Sequence, residues 1–372
     1  MKEMETERRY DIDWLRVVAI ALLLIYHIAI VFQPWASFIG FIGSNEPMEG
    51  LWKPMSLLNV WRIPFLFYVS GMGVYFAIRR RNGWQLVIER SKRILLPFVF
   101  GVFAIAPLHV FVFQYHYTLP LQYYPHPGHL WFLGNIFVYV LVLTPLFFLL
   151  KRKSLRVFRK GLSAVTGHPI GLLGISVFFV LEALLLRPAV FEMYALTWHG
   201  FFLGFLAFFF GFLFVYSGKA FWQTVGQWKW LYLGVALTSF LIRLIFFETM
   251  LPGYALALES NCWIFGIFGL GYCYLNRPSR SLRYLSQAAY PVYILHMVVL
   301  YAVAALVLPL ALPSWVKFIA ICGLTFAGCF LLYEGLIRRI GLLGPLFGMK
   351  KQPSRAMMPG KRAIETEGTI PG

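Results

Sequence analysis

A membrane-spanning helix needs about 20 mostly apolar residues in a row, and windows of that kind recur ten times along this chain. They fall at 14–32, 57–78, 94–113, 130–150, 170–186, 198–216, 230–247, 257–275, 289–308 and 315–336. No water-soluble fold has enough interior to hide so much apolar surface: 60% of the 372 residues are hydrophobic and only 13% are charged. The windows are long uninterrupted runs, not alternating segments of about ten residues, which excludes a transmembrane β-barrel. The fold class expected is therefore an all-α polytopic membrane protein with ten transmembrane helices.

Charge then orients the bundle. Of the 33 Lys and Arg residues, 28 fall in the N-terminal segment with the first-helix edge, the even-numbered connections and the C-terminal segment. The odd-numbered connections hold Lys53, Arg187 and Lys317, while Arg62 and Arg243 lie inside windows. The positive-inside rule places both termini in the cytoplasm, as an even number of spans requires. The formal charge of +18 is thereby a matter of topology, and no nucleic-acid partner is expected. The first window lacks a small-residue cleavage site, so no removable signal peptide is expected. One membrane domain is expected over 8–340, followed by a cytoplasmic, disordered tail over 341–372. The four cysteines all lie in windows without metal-ligand spacing and read as small apolar packing residues.

Polar side chains at membrane depth are costly, so each needs a reason. His27 follows Arg16 by eleven residues, about 16 Å along a helix; Arg16 sits at the cytoplasmic edge and His27 past the midplane. The plain reading of His27 is a hydrogen bond to a neighbouring helix. The sharper one is a neutral imidazole acting as a base. Arg62 lies near the outer end of the second window, with Gly71 and Gly73 allowing close helix approach. The next inner connection carries Arg79, Arg80, Arg81, Arg90 and Arg93, with Arg90 and Arg93 one helical turn apart. Two guanidiniums so spaced can grip one phosphate, although anionic lipid headgroups would also attract them. On the outer side His126, His129 and Trp131 precede the fourth span, where the Trp reads either as an interfacial anchor or as a sugar-stacking surface. His296 is placed in the ninth window nearer its cytoplasmic end. No metal site is expected, since spaced histidines without carboxylate or thiolate company do not make one.

The segments DIDWLRVVAIALLLIYH, RIPFLFYVSG, ERSKRILLP, HLWFL and YPVYILH stand in the order seen in the acyltransferase-3 family. The resemblance covers essentially the whole membrane domain, and within the family the wording is most similar to the glucans biosynthesis protein C group. It implies an integral enzyme of a bacterial inner membrane that moves an acyl group from cytoplasmic acyl-CoA to an extracytoplasmic carbohydrate. In that group the acyl group is succinyl and the acceptor a periplasmic glucan. On the matching positions, His27 and Arg16 are the catalytic pair, and Arg90 and Arg93, with Arg79, Arg80 and Arg81, hold the donor's phosphates. Arg62, His129, Trp131 and His296 are substrate-side candidates. Acyl-CoA enters as co-substrate, with no permanently bound cofactor. A pantetheine arm of roughly 15–20 Å matches the Arg16 to His27 separation. The residues alone leave a secondary transporter or exporter open, and a membrane scaffold as a third reading. Against transport stand the missing internal repeat and the few acidic residues at membrane depth: Glu182, Glu259 and Glu334, all toward span ends.

Overall fold

The structure is a computed structural model that describes residues 8–246 and 251–349. Ten helices are long and apolar enough to cross a membrane. They are α1 (Tyr10–Val31), α2 (Glu49–Ile78), α3 (Gly83–His116), α4 (Gly128–Leu150), α5 (Pro169–Leu186), α6 (Trp198–Ser217), α7 (Lys219–Ile245), α8 (Gly253–Leu275), α9 (Arg280–Val307) and α10 (Ser314–Ile337). Among the described residues there is no strand. Each window expected from hydropathy coincides with one of these helices. The tail segment 350–372 lies outside the described residues.

Three helices, α3, α7 and α9, begin well before their windows at the cytoplasmic end, because hydropathy does not register a polar helical extension; α7 starts at Lys219. α3 starts at Gly83, where the Asn82 side chain accepts from the Gln85 N–H and Gln85 reaches back to the Asn82 N–H. This capping box makes the basic segment helical. α9 starts at Arg280, with Ser279 as its N-cap. That extension corrects the depth expected for His296: it stands past the middle of its helix, level with His27.

α2 is the centre of the bundle, with 78% of its window buried, whereas α7 and α10, at 22% each, face outward. α2 and α6 approach so closely that a Cβ on Gly71 would lie 1.9 Å from the Phe208 carbonyl oxygen, and one on Gly211 would lie 2.1 Å from that of Tyr68. Only glycines permit that contact. α1 packs on α2 and α9, and α3 packs on α9, so these helices enclose one side of the core. In α3, wider π-type turns at Ser91–Leu95 and Gly101–Ile105 precede Pro97 and Pro107. The wider turn relieves the clash of each proline ring with the preceding turn.

Packing does not stop at 340. Leu343–Leu346 forms a helical turn, and Phe347 is buried with its ring edge-on to Phe100 at 5.5 Å. Gly348 adopts φ +69°, and a Cβ there would lie 2.3 Å from the Tyr290 ring. Arg8 and Met349 line the same cavity, so the two ends of the described chain meet on one face. That face carries the basic connections and is the cytoplasmic one by the positive-inside rule.

Candidate active site

A cavity of about 760 Å³ opens on this basic face. Arg8, Arg16, Arg90 and Arg93 stand among its lining, and its deeper wall is apolar, with Ile20, Leu66, Phe132, Ile136 and Val140. Four helices contribute stripes to it. Asp13, Arg16 and Ile20 line it from α1; Val74, Ser70 and Leu66 from α2; Val140, Ile136 and Leu133 from α4; Gln287, Tyr290 and Tyr293 from α9. Residues three or four apart share a helix face. Followed outward, the stripes of α2, α4 and α9 arrive one turn later at Arg62, His129 and His296. The α1 stripe reaches His27 two turns later.

These outer positions touch one another. The His27 and His296 rings lie nearly parallel, with His27 Nδ1 2.9 Å from His296 Nε2. His296 is 0% exposed, and its Nδ1 lies 2.6 Å from the Tyr293 carbonyl, which can only accept. Nδ1 therefore carries the proton, and with both rings neutral His296 Nε2 accepts from His27 Nδ1–H. The remaining lone pair of His27 is on Nε2. A hydrogen-bonded partner that fixes the tautomer is what a histidine base requires. His129 sits against His296 with ring centroids 4.8 Å apart, its Nε2–H donating to the Ile294 carbonyl at 3.2 Å, while the Tyr293 hydroxyl donates to the His129 carbonyl.

From His129 the imidazoles continue toward the outer loop. His109 lies 6.2 Å from His129 and 5.3 Å from His126, ring centre to ring centre. Burial holds the His126 imidazole below its ordinary pKa. Sequence reasoning passed over His109, although the rule that drew attention to His27, an ionisable group at membrane depth, applies equally to it. Among the described residues no group of three or more His, Cys, Asp or Glu side chains is placed to hold a metal ion.

The basic candidates divide. Arg90 and Arg93 line the cavity and both engage Glu89, at 3.2 and 3.0 Å. Glu89 is thus a third member of this charged cluster that spacing alone did not single out. Arg16 lies in the same cavity, 3.6 Å from Asp13, and not in the histidine cluster. Arg79, Arg80 and Arg81 occupy the turn between α2 and α3, outside the cavity lining. Trp131 is buried against Phe67 at 6.0 Å as part of the core.

Arg62 is 2% exposed, and its guanidinium lies over the Tyr26 ring at 3.8 Å. Its Nε and Nη1 have no hydrogen-bond partner among the described residues. The other buried arginine, Arg243, is clamped by Glu259 at 2.8 and 3.2 Å. His199 is likewise fully engaged, with Nδ1 on Glu182 at 2.8 Å and Nε2 on the Phe191 carbonyl at 2.9 Å.

A ten-helix bundle with a basic cytoplasmic cavity and a histidine pair beyond its inner end describes a membrane-embedded group-transfer enzyme. A family model described as an acyltransferase domain matches residues 9–334, most of the chain. The protein belongs to the acyltransferase-3 family and is a multi-pass membrane acyltransferase. No curated protein and no solved structure matches it.

Proposed function

We propose that the enzyme takes an acyl group from cytoplasmic acyl-CoA and passes it to a hydroxyl of an extracytoplasmic carbohydrate, in a bacterial inner membrane. The observation that carries this reading is the alignment of the arginine-lined cavity with the His27–His296 pair. Phosphates of the donor would rest on Arg16, Arg90 and Arg93, where charge-assisted bonds are strongest, displacing Glu89 from the two guanidiniums of α3. The pantetheine arm would run along the apolar wall toward Tyr293 and bring the thioester to the histidines.

There His27 Nε2 takes the proton of the acceptor hydroxyl as its oxygen attacks the thioester carbon. The C=O π electrons move onto oxygen, then return as the C–S bond breaks. The thiolate leaves with the proton now on His27, giving ester and free thiol with no net proton released. His296 positions His27 and spreads the transient charge. His129 stands on the acceptor side. A succinyl donor and a periplasmic glucan acceptor are the particular pair suggested by the similarity of wording within the family.

Transport is disfavoured by the engagement of the acidic residues: Glu259 binds Arg243 and Glu182 binds His199. The test is transfer of radiolabel from acetyl-CoA and succinyl-CoA to membrane and periplasmic glycans. Label is expected in wild type and lost in His27→Ala; equal labelling by both proteins would remove His27 from its role.

A further inference from the structure

We infer that Arg62 is the group that stabilises the oxyanion formed when the thioester carbonyl is attacked; this rests on the acyl-transfer reading above. A guanidinium stays protonated at neutral pH and carries five N–H donors in a fixed fork. Burying one without a carboxylate costs stability, because its desolvation is not repaid. Arg62 is in that condition, with Nε and Nη1 unpartnered and the ring of Tyr26 as its close neighbour. A protein that buries a cation and leaves its donors open presents a site for negative charge that arrives later.

The position fits the charge that arrives. Arg62 is the next residue on the α2 stripe whose Leu66, Ser70 and Val74 line the donor cavity. Tyr26, on which it rests, immediately precedes His27. Two other polar side chains on the way to the histidines are already committed: the Ser70 hydroxyl donates to the Leu66 carbonyl at 2.7 Å and the Tyr293 hydroxyl donates to the His129 carbonyl. The Tyr290 hydroxyl is also unpartnered, but it is a neutral donor, and its ring lies beside Gly348 on the cytoplasmic side of the cavity. As the hydroxyl oxygen adds to the thioester carbon, the carbonyl oxygen gains a full negative charge. Arg62 Nε and Nη1 donate to it until the C–S bond breaks. Preorganised donors of this kind act on the transition state more than on the bound substrate.

The test uses the full chain in detergent or membranes, with Arg62→Met and Arg62→Lys beside wild type, and acetyl-CoA and succinyl-CoA as donors. Arg62→Met is expected to lower kcat about 10²–10³-fold, the loss typical of one oxyanion donor. KM for acyl-CoA should stay within about threefold, since the interaction belongs to the transition state. The same variant should raise the unfolding temperature, because an unpaired buried charge has been replaced by an apolar chain of similar length. Arg62→Lys should recover part of kcat. A merely structural Arg62 predicts the reverse on stability, with a lower unfolding temperature, and would overturn the proposal. So would an unchanged kcat in Arg62→Met. A loss confined to succinyl-CoA would place Arg62 on the acyl carboxylate instead of the oxyanion. Wild type that transfers from no acyl-CoA would overturn the acyl-transfer reading, and the assignment of Arg62 with it.

Discussion

Arg62 and Arg243 are both buried within spanning helices, yet their surroundings are opposite. Arg243, near the outer end of α7, grips both oxygens of Glu259 on α8 and donates to the Ser56 carbonyl of α2. Its charge is neutralised and its donors are used, so it ties three helices together. Arg62 on α2 lies against an aromatic ring and keeps two nitrogens open. The histidines repeat the contrast. His199 has both nitrogens engaged, whereas His27 is half-buried with Nδ1 committed to His296. The lesson is that an ionisable residue in a membrane is not in itself a sign of chemistry. Unused hydrogen-bonding capacity on a buried charge is the more telling sign, because an unpaired ion costs far more to bury than an unpaired hydroxyl or indole.

The contrast can be broken at either end. His27→Ala should reduce acyl transfer about 10²–10⁴-fold while leaving the unfolding temperature near that of wild type; a collapse of stability instead would put His27 in the structural class with His199. Glu259→Ala removes the carboxylate that clamps Arg243, leaving Glu192 at 3.9 Å, and should cost about 3 kcal/mol, the low end for a broken buried pair, in a reversible denaturant titration. The double change Arg243→Met with Glu259→Leu should restore most of that loss; failure to restore it would mean the pair does more than satisfy itself. Arg90→Ala with Arg93→Ala should raise KM for acyl-CoA about tenfold or more, with kcat little changed, through loss of bonds worth about 1.5–3 kcal/mol each. The increase should shrink at high salt. The smallest effect concerns Glu192, in the connection between α5 and α6, whose carboxyl burial pushes above its ordinary value of 4.5. A carboxyl raised in the fold favours folding when protonated, so its contribution is complete below the ordinary value and is lost as pH rises through the raised one. Glu192→Gln should therefore flatten the decline of unfolding temperature with pH in that window, measured by calorimetry.

The ten spans were legible because a run of apolar residues long enough to cross a bilayer has few other fates. The depth of His27 followed from helical rise, and Arg90 and Arg93 from their spacing by one turn. The partnership of His27 with His296 was not legible, since 269 residues separate them and nothing in either helix names the other. The burial of Trp131 was not legible either, since a Trp beside a His at a span edge has the pattern of an interfacial anchor and its burial depends on Phe67 from another helix. The five inner-connection arginines looked equivalent as a charge run. Only the capping box at Asn82 and the helix it starts separate Arg90 and Arg93, which reach the cavity, from Arg79, Arg80 and Arg81, which do not.

Phe347, Gly348 and Met349 help to wall the basic cavity, although they lie beyond the region matched by the family model. Arg8, at the opposite end of the described chain, shares the same lining. The order of synthesis then matters. When the ribosome has delivered the first nine helices, every histidine of the cluster is in place, but the cavity that would feed it has a missing wall. That wall is completed only after α10 has crossed and the following residues have folded back onto Tyr290 and Phe100. A partly inserted chain therefore cannot form the complete cavity.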